Sequence, residues 1–395
     1  MLFNPRRDKL GVEMKIIYKI LLGLMVVSSS LFSYEKYFVV ERETSSLAVI
    51  ENGIKYSTLK NMRNMNHGVV KFEGNDGYVI SRDGYVIKFD PVKETILAEY
   101  KTSKSAIGFV IGKKYVAVAN YDDKSVDILD RDLKPIKKFK TGSKNVGIKI
   151  YKDYLIFSEM DNDTITILVD VTGGDEDKPV FKLFKQFKNV GELPFDAMIQ
   201  DNKYIVGFFT SKHFGTVDLD TLEFKKVKIF LDEKRKMVLK VPHFGFWSIG
   251  GDKVFVPAVG DNKVLVYDMN FNFLQNIKTE GMPVFTSLSP DKKYLAVTYS
   301  GEKFPVIQII DTKTLKVVKR FEFEGKVLHV RWSQSKPLLY VSVNDANIVT
   351  VINTQDWYRA RDILNIQKPS GIFMFNAPGH ESPSTSFQIK GRKYE

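Results

Sequence analysis

One phrase recurs eight times along this chain, and it decides most of what the chain can become. Each copy opens on an aromatic or aliphatic residue and continues as a β-branched run. It turns through polar residues, returns as a second run ending near Asp, and is followed by a third. YVISRDGYVIKFD begins at Tyr78, YVAVANYDDKSVDILD at Tyr115 and VFVPAVGDNKVLVYD at Val254. The other copies begin at Tyr37, Tyr154, Tyr204, Tyr294 and Leu339, and successive starts lie 37 to 50 residues apart. β-branched and aromatic runs separated by Asp-Asn, Asp-Gly and Asn-Asp turns are strand and hairpin chemistry. A period of about forty residues with short strands is the pattern of a propeller blade. One such sheet cannot bury both faces alone, whereas stacking neighbours around an axis buries them all. The expected fold is all-β: a single eight-bladed β-propeller over residues 34–395. The opening run of each copy is read as the blade's innermost strand. Phrases such as DTKTLKVVKRFEFEG supply the outer one. Residues 170–197 and 230–248 fill the two longest intervals, and inserted loops of this kind are where propellers build sites.

The segment before the first copy reads as a targeting signal. From Met14, which is the expected true start, Lys15 and Lys19 form a basic region, Ile20–Val27 an apolar core, and Ser28–Ser30 and Ser33 a small-residue end. That is a secretory signal shape over residues 1–33, with an uncleaved N-terminal anchor as the alternative. The mature chain is therefore expected outside the cytoplasm. The sequence holds no cysteine. This removes disulfides, thiolate metal sites, cysteine nucleophiles, a lipid-anchoring cysteine and the CxxCH attachment of a covalent c-type haem. The net charge of +12 comes from lysines spread along the chain. An ordinary basic surface, an anionic ligand and a membrane surface all fit it. Without a nucleic-acid-binding motif or a basic run interleaved with aromatics, nucleic acid is not an expected partner.

Only five histidines occur. His67 lies 11 residues before Tyr78, His243 lies 11 before Val254, and His329 lies 10 before Leu339. This shared interval would place all three on one end of the ring, where converging imidazoles suit iron ligation or proton transfer. His213 falls in the TSKHFG hairpin and His380 in the tail. Arg63, Arg82, Lys212 and Arg331 lie in or near the same connections and would pair with a polycarboxylate ligand, or serve as ordinary surface charge. The carboxylate-rich stretch 161–179 lacks calcium-loop spacing. There is no P-loop, dinucleotide fingerprint, nucleophile elbow or HExxH motif.

Nine segments in order carry a resemblance. They run from ERETSSLAVIE through NMNHGVVKF, GYVISRDGYVIKFD, GELPFDAMI, VPHFGFWSIGGDKVFVPAVGDNKVLVYD and VLHVRWSQ to PSGIFMFNAPGH. Together they resemble consecutive segments of the periplasmic haem d1 biosynthesis proteins of denitrifying bacteria, the NirF family. That family is related to the eight-bladed d1-haem domain of cytochrome cd1 nitrite reductase. The resemblance implies periplasmic maturation of haem d1 for that reductase. Its step would be binding, and processing by a dehydrogenase-type or other reaction, of a late tetrapyrrole precursor. It implies non-covalent haem d1 or dihydro-haem d1, with His67 as axial iron ligand. His243, His329 and Asp161 become the catalytic candidates, and Arg63, Arg82, Arg331 and Trp247 the cofactor-binding ones. Other haem d1 maturation proteins and the reductase are the implied partners, and a homodimer is compatible. Phe244, Phe246 and Trp332, like Trp247, would wall the ring or pack the blade core. Two other readings stay open: a lactonase-type propeller hydrolase with a channel calcium site, and a non-catalytic interaction propeller.

Overall fold

In each copy the second and third strands of a sheet are apolar on both faces, because a sheet lies against each. Tyr115–Asn120 and Ser125–Asp130, for example, are buried along almost their whole length. The outer strand Pro135–Lys140 is mostly exposed and carries three lysines, which suits an edge that must not pair with another molecule. The computed structural model describes residues 35–174, 178–229, 247–258 and 261–375. The signal segment, His243, Phe244, Phe246 and His380 lie outside the described residues.

Eight four-stranded antiparallel sheets form the ring. Their innermost strands are Pro369–Phe375 in blade one, Val69–Glu73 in two, Ala106–Ile111 in three and Asn145–Tyr151 in four. Pro194–Gln200, Ser248–Gly250, Met282–Leu288 and Val327–Trp332 follow in blades five to eight. Among the described residues one buried apolar cluster fills each blade–blade interface. The interface of blades one and eight, built on Tyr37, Val39, Ile50, Tyr340, Val349 and Val351, is one of them. The fold class and the blade number agree with the repeat.

One expectation is corrected. Each repeated phrase opens on the blade's second strand, not its innermost one. Tyr78 belongs to Asp76–Ile80, which pairs with the true inner strand Val69–Glu73. The inner strands (VVKFE, NVGIKIY, PSGIFMF) carry Lys, Gly and Pro because they border the axis rather than two apolar neighbours.

The ring is closed twice. The C-terminal Pro369–Phe375 pairs antiparallel with Lys36–Glu41, so blade one is built from both ends of the chain. Beside this seam the Glu35 carboxylate accepts from Ser333 Oγ at 2.7 Å and from the N–H groups of Gln334 (2.8 Å) and Ser335 (2.9 Å). The Tyr37 hydroxyl donates to it at 2.7 Å. Bonds to an ionised acceptor are the stronger class, so this clamp fixes blade eight to the chain's beginning.

Candidate functional site

In an up-and-down sheet, the connection into an inner strand and the turn between the second and third strands emerge at the same end. His67 lies in the connection into blade two. Arg42, Arg82 and Asp161 lie in second-to-third-strand turns of blades one, two and four, and His213 opens the third strand of blade five. His329 and Arg331 are the third and fifth residues of blade eight's inner strand. Arg42, His67, Arg82, Asp161 and His213 therefore share one end of the ring, whereas Arg331 lies towards the far end of its strand.

The NMNHG loop is pinned from below. Met62 and Met65 are fully buried, and the Met62 N–H bonds to the Ser45 carbonyl at 2.9 Å. Asn66 N–H donates to Asn64 Oδ1 (3.0 Å) and Gly68 N–H to the Met65 carbonyl (3.0 Å). A Cβ on residue 68 would sit 2.7 Å from Met65 Cε, the movable end of that side chain, so glycine lets the buried methionine pack close under the turn. His67 follows with φ +63° and is exposed. Partial desolvation, and then the charges of Arg42 and Arg82, pull its imidazole below the ordinary value. That favours the neutral ring, the form that ligates iron.

Arg42 is the functional candidate that sequence reasoning missed. It is half-buried, and its Nε–H donates to no partner although it is shielded from water. Desolvation lowers its guanidinium from the usual value. A buried unpaired donor of this kind is costly unless a ligand completes it. Its signal was in the repeat: Arg42 in ERETSS occupies the same turn of blade one that Arg82 in SRDGY occupies in blade two. Arg82 is fastened by its own N–H to the Asn64 carbonyl (2.8 Å) and by Nη1 to Ser105 Oγ (3.2 Å). The structure thus joins Arg42, His67 and Arg82 at the junction of blades one and two. Two guanidiniums beside a neutral imidazole can hold carboxylates and offer one nitrogen to a metal.

On the other side of blade one, His329 Nδ1 accepts the Ile372 N–H at 3.3 Å. In the neutral ring this places the proton on Nε2. The ring packs against Phe285 (4.8 Å) and Phe373 (6.1 Å), on the inner strands of blades seven and one. Arg331 is buried and donates through Nε to the Ile372 carbonyl at 3.1 Å, bracing the same seam.

The remaining candidates stand apart from this junction. Arg63 is bidentate to Glu99 and lies over the Tyr85 ring at 4.6 Å, facing blade two's outer strand. Asp161 pairs with Lys124 (3.2 Å) and Lys144 (3.6 Å). Desolvation alone would raise its carboxyl, but the Lys144 N–H and these ammoniums hold it below its usual value. Trp247 is 0% exposed and meets Phe214 edge-on at 5.2 Å, inside the core between blades five and six. Trp332 is also buried, its indole N–H on the Ser287 carbonyl at 3.1 Å. Lys212 is exposed, and His213 Nε2 lies 3.1 Å from the Val190 carbonyl. Among the described residues no three His, Cys, Asp or Glu side chains gather as a metal-ligand set.

The family model of the cytochrome D1 heme domain matches residues 33–377. The chain is 30% identical over 371 residues to Protein NirF of Stutzerimonas stutzeri, covering 87% of this chain and 92% of that one. It is 28% identical to Protein NirF of Pseudomonas aeruginosa, covering 87% and 91%. Among solved structures, the dihydro-heme d1 dehydrogenase NirN in complex with DHE superposes with a TM-score of 0.73 at 18% identity, over 86% of this chain and 74% of that one. AztD of Citrobacter koseri gives a TM-score of 0.63 at 12% identity, over 88% and 99%. At those identities the two structures speak for the fold alone.

Proposed function

The chain belongs to the cytochrome d1 haem-domain family, among the NirF proteins, and from that membership we propose that it serves haem d1 biosynthesis by binding a late iron tetrapyrrole precursor. The observation that carries this reading is the Arg42–His67–Arg82 junction. His67 offers a neutral imidazole to the iron, and the two guanidiniums offer charge-assisted bonds to the macrocycle's carboxylates. The buried Nε of Arg42 is a donor that such a carboxylate would satisfy. The macrocycle is the substrate here, held without a covalent bond because the chain has no cysteine for a thioether link.

The residues' own tasks follow from their surroundings. His67 orients the iron, and Arg42 and Arg82 fix the ring's rotation. His329, with its proton on Nε2 and its ring walled by Phe285 and Phe373, supplies a proton donor on the far side of blade one. His243, outside the described residues, stays a catalytic candidate on the family resemblance. Asp161 acts on the site through its lysine pairs, and Arg331 holds blades eight and one in register. The proposed chemical step is dehydrogenation of a dihydro precursor, its two electrons passing to an external electron acceptor and its two protons to solvent. We place the mature chain in the periplasm, delivering its product toward nitrite reductase with the other maturation proteins.

The test is an absorption titration of the purified protein with haem d1 and, separately, dihydro-haem d1. A saturable change in the Soret region is expected with both ligands. Spectra identical to the sum of free ligand and protein would refute the binding reading. Conversion of the dihydro form would show processing.

A further inference from the structure

Residues 60–68 carry His67 as plain loop, between the outer strand of blade one, Ile54–Leu59, and the inner strand of blade two, Val69–Glu73. Asn61, Arg63 and His67 stand in the left-handed region, at φ +65°, +60° and +63°. For residues with a side chain that backbone is costly, and it persists where the surroundings enforce it. From below, Met62 and Met65 are buried in the cluster between blades one and two. On the blade-two side, the Asn64 N–H donates to Asp83 Oδ1 (3.3 Å) and the Asn64 carbonyl accepts the Arg82 N–H (2.8 Å). On its outer side the loop is held by Arg63. Its Nε donates to Glu99 Oε2 at 3.0 Å, its Nη2 donates to Glu99 Oε1, and its guanidinium carbon lies 4.6 Å from the Tyr85 ring centre. Lys101 Nζ lies 4.9 Å from the same ring. Tyr85 and Lys101 are cross-strand partners on the third and outer strands of blade two, so the latch closes on a paired sheet. The Arg63 and Glu99 side chains are 42% and 38% exposed. An ion pair this open adds little to global stability. A two-pronged and stacked one does fix a direction, which the planar fork of arginine achieves and lysine does not. Its effect is therefore local, on where the loop and His67, four residues further on, are held.

We propose that Arg63 is a positioning residue for the iron ligand: its latch on Glu99 and Tyr85 holds the loop in the conformation that sets the His67 imidazole beside Arg42 and Arg82. This rests on the reading of His67 as iron ligand and adds how that ligand is held. Arg63 itself touches no part of the macrocycle. It acts through the backbone of a strained loop, which relaxes away from the junction when the latch is released.

The experiment follows the nitrogen-ligated paramagnetic resonance signal of the ferric haem d1 complex as pH is lowered. It compares the wild type, Arg63→Glu, Glu99→Arg and the double charge swap, with circular dichroism to check folding. Protons and iron compete for the imidazole, so an iron bond weakened about tenfold raises the midpoint of ligand loss by about one pH unit. Each single reversal is expected to raise the midpoint by about 0.5 unit or more, a loss of about threefold, and the swap to restore it. A direct field effect on His67 would instead move the two reversals in opposite directions, because one adds negative charge and the other positive. Opposite shifts, no shift, or a swap no better than the single reversals would overturn the latch while His67 stands as ligand. A wild type without a nitrogen-ligated signal overturns both. Should a reversal fail to fold, Glu99→Gln, which keeps the shape and removes the charge, decides the matter. A raised midpoint supports the latch, and an unchanged or lowered one overturns it.

Discussion

At pH 8 an Asp127→Asn variant is expected to unfold about 4 °C hotter than the parent protein, and in acid most of that gain is expected to disappear. Asp127 is on the third strand of blade three, 2% exposed, and neither carboxylate oxygen accepts a hydrogen bond. Lys138, opposite it on the outer strand, approaches to 3.3 Å. Desolvation lifts the carboxyl from 3.8 to about 6, against the pull of Lys138. The folded value thus lies above the unfolded one. Stability is greatest below 3.8 and is lost as pH rises through about 6. Each pH unit between the two values is worth about 1.36 kcal/mol, so the ionised group costs about 3 kcal/mol at pH 8 and about 0.5 kcal/mol at pH 4. Asparagine keeps the volume and removes that cost, and Lys138, already 42% exposed, returns to water easily. For a ring of roughly 340 residues the unfolding entropy is about 0.7 kcal/mol/K, so 3 kcal/mol corresponds to about 4 °C. Thermal melts followed by circular dichroism at pH 4 and pH 8 measure both values. Equal shifts at the two pH values, or a lower midpoint at pH 8, would refute the reasoning.

The ring closure and the junction make further predictions. Glu35→Ala strands the buried donors of Ser333, Gln334 and Ser335 and is expected to destabilise the protein by about 3 kcal/mol in urea unfolding; a change below about 0.5 kcal/mol would mean the clamp is idle. Gly147, at φ +60°, leaves a Cβ only 2.8 Å from the Phe195 carbonyl oxygen and 3.0 Å from the Tyr204 hydroxyl. Gly147→Ala should therefore cost more than about 1 kcal/mol and loosen the seam of blades four and five, which hydrogen exchange of Phe195–Gln200 would report. Arg42→Met should weaken haem d1 binding about tenfold with an unchanged melting temperature, one lost charge-assisted contact being worth about 1.4 kcal/mol. Unaltered affinity would remove Arg42 from the site.

What could be read from the sequence follows from where physics leaves a periodic trace. The second and third strands of every blade are buried on both faces, so phrases such as YVAVANYDDKSVDILD stand out and the blade count is legible. Inner strands have one side on the axis, and one of them, Ser248–Gly250, is three residues long. VVKFE and NVGIKIY therefore look like connections, and the repeat reads one strand out of phase. His67 stands out in the sequence because histidine is rare and this one sits at a repeat position. Arg42 was equally periodic but looked like ordinary surface charge, and only its buried Nε distinguishes it. Trp247 illustrates the opposite failure. An aromatic beside a candidate histidine reads as a ligand wall, yet the partners that enclose it, Phe214 and Tyr267, lie far away in sequence.

The central claim is that His67 binds the iron of a d1-type tetrapyrrole. Electron paramagnetic resonance of the ferric haem d1 complex tests it most directly, comparing the wild type with His67→Ala in the absence and presence of free imidazole. The account predicts a nitrogen-ligated spectrum in the wild type, its loss in the variant, and its return when imidazole is added. A wild-type spectrum that persists unchanged in His67→Ala would contradict it.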